Sequence, residues 1–298
     1  MRFKANTTIA RLVSRRALSS LSQPMDAKDE LLDIRRQFSR TQGSGSVELE
    51  RNDSTGVAII RFRNASKRNA ISGQMMSQFW ESIEELQRWK KGRAVVVCGA
   101  DGFFCSGGDL TTVRAIADPV NGRRMSLLMH ANLSRLQALP LVSVAVVEGM
   151  AIGGGAEIST SCDFRLMGES ALMGFVHIRL GIASAWGGGS RLAALIGPQR
   201  ALQMMLSGRR LDATEALRLG LADDVIPSDV NGVQFAHQWV ERLLGYGARE
   251  TIGAVKGIVN GARYLPLELA LREEVEYSAS VWGGVAHQEA LQQNIKHK

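Results

Sequence analysis

Gly149-Met150-Ala151-Ile152-Gly153-Gly154-Gly155-Ala156-Glu157 follows an apolar run, Val142-Ser143-Val144-Ala145-Val146-Val147, and precedes Ile158 to Cys162, which reads as a short helix. A strand that feeds three glycines and then a helix start leaves backbone N–H groups with no Cβ in front of them, so a flat polarised group can come close. Such a loop suits an oxygen that becomes negative. Glu157 lies three residues beyond Gly154, about one helical turn, which sets a carboxylate beside whatever those amides hold. Taken alone, a glycine triplet is equally a tight turn. It is not a dinucleotide fingerprint, because Glu157 and Ile158 stand where a third glycine should fall, and the chain has no Gly-Lys-Ser/Thr phosphate loop.

A second glycine-rich element lies upstream. Phe103-Phe104-Cys105-Ser106-Gly107-Gly108-Asp109-Leu110 is again a strand-to-helix loop, and offers another forward-pointing amide near Gly108. Two amides from two loops form an oxyanion hole.

Working outward, Val47–Glu50 and Val57–Phe62 read as a hairpin across the turn chemistry of Asn52-Asp53-Ser54-Thr55-Gly56. Met75–Lys90 is an amphipathic helix carrying Met76, Phe79, Ile83 and Leu86 on one face. Ala94–Cys98 is a strand, Leu110–Ile116 and Arg123–Ala138 are helices, and Asp163–Met167 and Ala171–Phe175 are further short strands. The repeated order strand, strand, helix predicts an α/β (α+β) fold in which a sheet coils into a spiral with helices outside. After Gly197 only helices are expected: 198–206, 212–219, 233–244, 248–262, 266–281 and 285–295. The expected organisation is a leader and linker over 1–46, a core with the active site over 47–197 and a helical segment over 198–298, which packs on a neighbouring subunit.

Of the 298 residues 45% are hydrophobic and 22% charged, an ordinary globular composition. The formal charge of +7 is concentrated at the start: Arg2, Lys4, Arg11, Arg15 and Arg16 precede the first acid, Asp26, leaving 31 bases against 29 acids beyond it. The basicity therefore belongs to the N-terminal tail, which has the chemistry of a mitochondrial transit peptide or of a basic tail. A nucleic-acid partner is not expected from a nearly neutral body, although Arg35, Arg36 and Arg40 form a local basic patch. The longest apolar stretch, Leu139–Ile152, is too short to span a bilayer, so no membrane partner is expected. Cys98, Cys105 and Cys162 match no metal-site spacing, and an odd thiol suits a reducing compartment.

The pair Phe-Cys-Ser-Gly-Gly-Asp-Leu (104–110) and Gly-Met-Ala-Ile-Gly-Gly-Gly-Ala-Glu (149–157) resembles the crotonase (enoyl-CoA hydratase/isomerase) superfamily. Ser66-Lys67-Arg68-Asn69-Ala70 before the first helix and Trp186-Gly187-Gly188-Gly189-Ser190-Arg191-Leu192 later extend the likeness from residue 47 to about 295. The resemblance implies a ββα spiral core with C-terminal helices that build a homotrimer or a pair of trimers. It also implies a coenzyme A thioester substrate, its carbonyl oxygen held by the amides of Gly108 and Gly154. Coenzyme A contacts then map onto Lys67, Arg68 and Ala70 and onto Ser106, Gly107, Asp109 and Leu110, with Gly153 and Trp186 beside the acyl group. Lys67 and Arg68 also make chemical sense as phosphate partners.

Hydratases of this superfamily place two glutamates over the substrate. The first falls at Glu157; the second, twenty residues on, is His177 here. A second glutamate would repel a carboxylate on the substrate's α-carbon, whereas an imidazole can donate to it or deliver a proton later. The resemblance is strongest to the ethylmalonyl-CoA decarboxylase family, through Cys162-Asp163-Phe164-Arg165-Leu166-Met167, Phe175-Val176-His177, Trp186-Gly187-Gly188 and Val281-Trp282-Gly283-Gly284. It implies loss of carbon dioxide from ethylmalonyl-CoA, and more weakly methylmalonyl-CoA, with no cofactor beyond the coenzyme A of the substrate, no metal, and a cytosolic enzyme. Two departures, Asn64-Ala65-Ser66 for Asn-Pro-Ser and Ala183-Ser184-Ala185-Trp186 for Ile-Pro-Ser-Trp, bear on loop geometry and so on substrate range.

In this reading Glu157 or His177 protonates the α-carbon, and a raised pKa of Glu157 beside the substrate's carboxylate would favour its acting as an acid. Three other readings make different demands. A hydratase needs a second carboxylate, from Glu169 or Asp163. An RNA-binding homologue needs a basic body surface. A hydrolase needs Ser106 or Cys105 activated by a base.

Overall fold

The computed structural model describes residues 24–41, 43–245 and 247–292. The arginines and lysine of the basic tail, Arg2 to Arg16, lie outside the described residues. In chain order the elements are α1 (Pro24–Ser39), β1 (Ser46–Asn52), β2 (Val57–Arg63), α2 (Gly73–Arg88), β3 (Ala94–Gly99), α3 (Leu110–Ala115), α4 (Pro119–Gln137), β4 (Val142–Val147), β5 (Met150–Ile152) and α5 (Gly154–Ser159). They continue with β6 (Phe164–Gly168), β7 (Leu172–Gly174), α6 (Gly188–Ile196), α7 (Pro198–Ser207), β8 (Arg210–Asp212), α8 (Ala213–Leu219), β9 (Asp224–Ile226), α9 (Gly232–Leu244), α10 (Arg249–Tyr264), α11 (Leu267–Val281) and α12 (Val285–Gln292).

The main sheet has the order β1-β2-β3-β4-β6-β9, antiparallel at the β1–β2 hairpin and parallel elsewhere. A second sheet, β5-β7-β8, is prolonged by single bridges between Cys105 and Ala151 and between Ile71 and Gly108. Each turn of the chain therefore gives one strand to the main sheet, one short extended segment to the second layer, and then a helix. This is the expected coiled ββα arrangement, and it stacks the helix starts of successive turns beside one another.

Strands buried on both faces read as continuous apolar runs rather than alternating ones. In β3, Val95 and Val97 face the second layer together with Ile60, Ala145, Val147 and Met173, all fully buried. Ala94, Val96 and Cys98 face the other way, with Val144 and Val146, against Ala236 and Val240 of α9 and Ile252 of α10. Asp163 crosses this second interface: its Oδ2 accepts from Ser143 N and Oγ and pairs with the buried Lys256 Nζ of α10 at 2.7 Å.

Two expectations need correction. Residues 24–39 are not linker: they form α1, which buries Ile34 and Phe38 in the main core and lies against α2 and α4. The charged surface of this stretch masked an i, i+4 apolar pair at its base. Arg35 pairs with Glu81 and bonds Ser77 Oγ, Arg124 pairs with Asp33 at 3.1 Å, and the guanidinium groups of Arg35 and Arg135 lie 5.9 and 4.1 Å from the Trp80 ring centre. Nor is the chain beyond Gly197 purely helical. Arg210–Asp212 and Asp224–Ile226 are three-residue strands that close the second and main sheets, so the layered core runs on to residue 226. Three residues are too few to carry a visible period of two.

Phe38→Ala is expected to destabilise the protein by about 3–5 kcal/mol, the usual cost of emptying a buried phenylalanine site. Urea unfolding at neutral pH measures it; a change below 1 kcal/mol would return α1 to the status of an appendage.

Candidate active site

The two glycine loops meet because the second layer pairs them. Phe104 N donates to Glu148 O at 2.9 Å, Cys105 N to Met150 O at 3.0 Å and Ile152 N to Cys105 O at 3.0 Å, which lays 103–106 alongside 148–152. Gly155 must lack a side chain, since a Cβ there would collide with the Cys105 carbonyl. A Cβ on Gly107 would lie 3.3 Å from Gly154 N, so the loops are in contact where their glycines face each other.

Residues 66–70 strap this pair. Ile71 N donates to Gly107 O at 2.8 Å and Asp109 N to Ile71 O at 2.9 Å, so Gly108, between them, turns its own N–H away from that pairing. Gly154 opens the six-residue α5 and its N–H has no intrahelical acceptor. The indole of Trp186 lies against both glycines: it occupies the space a Cβ on Gly154 would need and comes within 3.7 Å of one on Gly108, where Val113 Cγ2 stands at 3.3 Å. The predicted residues Gly107, Gly108, Gly153, Gly154 and Trp186 thus converge.

Glu157 is 1% exposed and is surrounded by donors. Its Oε2 accepts from Ser184 Oγ at 2.7 Å and from the backbone N–H groups of Trp186 and Gly188, both at 2.8 Å. Its Oε1 meets His177 Nε2 at 2.9 Å and Ala185 N at 3.4 Å. Gly188 has no room for a side chain, because a Cβ would run into the glutamate. Burial raises the pKa of such a carboxyl, but the hydrogen bonds from His177, Ser184 and Gly188 N together with the attraction of His177 outweigh it, and Glu157 is held below its ordinary value. The raised value expected beside a substrate's carboxylate is not set by the protein itself, whose donors at 184–188, about thirty residues away in sequence, hold Glu157 low.

His177 starts a one-turn 3₁₀ helix, His177–Leu180, and is 8% exposed. Because an ionised carboxylate only accepts, Nε2 is the donor in the bond to Glu157. The other ring nitrogen, Nδ1, is buried and has no hydrogen-bond partner among the described residues.

The remaining predicted residues form the strap. Lys67 Nζ donates to Asp109 Oδ2 at 2.7 Å and Thr111 Oγ1 at 3.1 Å, so its charge is committed to the fully buried Asp109, which caps α3 through Thr111 N. Arg68 is exposed, with its guanidinium 5.6 Å from the Phe103 ring centre. Ser106 Oγ donates to Lys67 O at 2.8 Å, the buried Ala70 donates to Lys67 O at 3.1 Å, and Leu110 is exposed.

Sequence reasoning missed Ser184 and Arg191. Arg191 donates to Trp186 O at 3.0 Å, Gln137 Oε1 at 3.2 Å and Ser134 Oγ at 3.2 Å, anchoring the loop that carries the Glu157 donors. Asn69, within the stretch mapped to coenzyme A, is instead buried in the left-handed region at φ 57°, and its Nδ2 holds Ala100 O and Phe103 O. The Trp-Gly-Gly-Gly run after Ser184 was the one available signal, since glycines after a buried tryptophan mark close backbone approach.

The other readings find little support. Asp163 is committed to Ser143 and Lys256, and Glu169 Oε2 accepts from Ser228 N, so neither completes a carboxylate pair with Glu157. Burial pushes the Cys105 thiol up to about 12, which leaves scarcely any thiolate at neutral pH. Among the described residues no group of three or more His, Cys, Asp or Glu side chains could hold a metal ion, and no helix is long and apolar enough to cross a membrane.

Comparison with known proteins agrees with this fold. The enoyl-CoA hydratase/isomerase family model matches residues 52–294. An ethylmalonyl-CoA decarboxylase of Rattus norvegicus is 42% identical over 91% of this chain and 89% of its own length, and one of Gallus gallus is 39% identical over 97% and 96%. Among solved structures, an enoyl-CoA hydratase of Geobacillus kaustophilus superposes with a TM-score of 0.77 at 29% identity, covering 84% of this chain and 94% of the other. One of Bacillus anthracis gives 0.77 at 26%, covering 83% and 94%.

The low pKa of Glu157 has a consequence for stability. Its contribution is complete above the unfolded value of roughly 4.3 and fades as pH falls through the lower folded value. Ser184→Ala removes one donor and is expected to cost about 1.5–3 kcal/mol at pH 7, with the deficit shrinking in acid. Urea unfolding of both proteins across the acid range checks this; a deficit independent of pH would mean that Ser184 does not act through the ionised carboxylate.

Proposed function

Since the chain belongs to the enoyl-CoA hydratase/isomerase family, we propose that it removes the carboxyl group of a short-chain malonyl-type coenzyme A thioester, ethylmalonyl-CoA to butyryl-CoA and, more weakly, methylmalonyl-CoA to propionyl-CoA. The observation that carries this reading is the Glu157–His177 pair at 2.9 Å beside the two glycine loops, in place of two carboxylates. A substrate that already bears a negative group at its α-carbon is repelled by a second glutamate and accepted by an imidazole. The naming of the relatives as ethylmalonyl-CoA decarboxylases supports the same choice.

In this mechanism the thioester oxygen receives the N–H groups of Gly108 and Gly154. As the bond between Cα and the carboxylate breaks, its electron pair passes into the enolate, whose charge collects on that oxygen. The Trp186 ring and Val113 flank the acyl group and exclude water. Orientation of the breaking bond along the carbonyl π system does the remaining work, and the reaction calls on no metal, biotin or redox group. In this reading the exposed guanidinium of Arg68 serves the phosphates of coenzyme A, whereas Lys67 holds Asp109 and with it the start of α3.

The working form, in the same proposal, is a homotrimer or a pair of trimers. The C-terminal helices leave Leu267, Leu271, Val275, Trp282, Val285 and Leu291 exposed, apolar side chains suited to burial against another copy. Light scattering is expected to give a mass about three or six times the 32.4 kDa chain; a monomer would overturn this part.

Purified protein incubated with ethylmalonyl-CoA, methylmalonyl-CoA or crotonyl-CoA and analysed by mass spectrometry tests the activity. Butyryl-CoA and propionyl-CoA are expected, with crotonyl-CoA unchanged. Hydration of crotonyl-CoA while both malonyl thioesters survive would show the enzyme to be a hydratase.

A further inference from the structure

Three helices distant in sequence meet at the residue that ends α4, Gln137: α4 itself, α6 through Arg191, and α10 through Asn260 and Tyr264. We infer that Gln137 is a positioning residue of the candidate active site, through which Tyr264 at the end of α10 holds the loop that carries Trp186 and the backbone donors to Glu157. The inference deepens the decarboxylase reading and rests on it for its kinetic test.

Trp186 is gripped at both of its backbone groups. Its N–H donates to Glu157 Oε2 at 2.8 Å, and its carbonyl accepts from Arg191 Nη1 at 3.0 Å. Gly187 follows in the left-handed region at φ 87°, with the Arg191 guanidinium packed where a Cβ would stand, and Gly188 N returns to Glu157 Oε2 at 2.8 Å. A shift of Arg191 therefore moves two donors of Glu157, and with them the indole that lies against Gly108 and Gly154. Arg191 is 7% exposed, and among the described residues its hydrogen bonds go to neutral oxygens: Trp186 O, Gln137 Oε1 and Ser134 Oγ. A buried cation held by dipoles alone depends on how each of them is aimed.

The aim of Gln137 is fixed by its partners. A guanidinium only donates, so the amide oxygen faces Arg191 Nε at 3.2 Å. The amide nitrogen then faces Tyr264 and donates to its Oη at 2.8 Å. Asn260, four residues before Tyr264 and so on the same face of α10, donates from Nδ2 to the Gln137 carbonyl at 3.3 Å. That carbonyl is one of those a helix end leaves without an intrahelical donor. Side chain and backbone of one residue are thus tied to one face of α10. The route Tyr264, Gln137, Arg191, Trp186, Glu157 runs through hydrogen bonds of 2.8, 3.2, 3.0 and 2.8 Å. None of these bonds involves residues 66–70 or 106–110, where the proposed grip on coenzyme A lies, so the route bears on the reacting end of the substrate and not on its handle.

Steady-state kinetics of Gln137→Ala, Tyr264→Phe and the double variant on ethylmalonyl-CoA test the route. Gln137 is half-buried and Tyr264 exposed, so all three are expected to fold, which urea unfolding checks. Gln137→Ala is expected to lower kcat about 10-fold while KM stays within about 2-fold of wild type, the mark of lost orientation and not of lost binding. Tyr264→Phe, which removes only the outermost link, is expected to lower kcat less. The double variant is expected to match Gln137→Ala, because without the middle link the outer one has nothing to hold. Wild-type kcat in Gln137→Ala, a raised KM with kcat unchanged, or effects that multiply in the double variant would each overturn the inference.

Absence of CO2 release from the wild type would defeat the decarboxylase reading and leave the route to be decided without substrate. Backbone amide hydrogen exchange over 184–189, read by mass spectrometry on the same proteins, then decides. Faster exchange there in Gln137→Ala and Tyr264→Phe, with 66–70 and 106–110 as in wild type, upholds the route. Exchange over 184–189 equal to wild type in Gln137→Ala overturns it.

Discussion

The site depends on a buried carboxylate that accepts from five donors. Glu157 comes from one glycine loop, His177 from the following turn of the spiral, and Ser184, Trp186 and Gly188 from the loop that Arg191 anchors. An anion taken out of water is costly unless its lone pairs are filled. Filling them here fixes three separate pieces of chain relative to one another, and the same bonds seat the imidazole. Stability and chemistry share one interaction.

Around that anchor the fold supplies proximity. Stacked turns of the spiral bring the ends of β3 and β4 to one edge, and backbone pairing of 103–106 with 148–152 sets the two glycine loops in contact. The N–H of Gly108 is turned out by the pairing of its neighbours, and that of Gly154 is left without an intrahelical acceptor at the start of α5. Preorganisation of this kind stabilises developing charge without a reorganisation cost at the moment of reaction. The strap formed by residues 66–70, tied through Ser106, Ile71 and the Lys67–Asp109 pair, keeps the first loop from relaxing.

Members of one fold run different reactions by exchanging the side chains that face this frame. Here the side chain that meets Glu157 is a histidine, at 2.9 Å, and not a second carboxylate. With its oxygens surrounded by donors, Glu157 is held below the ordinary carboxyl value despite its burial.

The glycine triplet, the Ser-Gly-Gly-Asp loop and the apolar runs of β3 and β4 were legible in the chain because backbone approach and two-sided burial restrict residue type at each position. The ββα order, the two oxyanion amides and the Glu157–His177 partnership followed from those local patterns and from the resemblance they carry. Helix α1 was hidden by its charged outer face, and β8 and β9 by their shortness. The protonation preference of Glu157 was decided only in three dimensions: its donors lie 27 to 31 residues along the chain and are mostly backbone N–H groups, which every residue but proline possesses. A hydrogen-bond donor common to nearly all residues leaves no mark in a sequence, so only the folded loop fixed the ionisation of the acid at its centre.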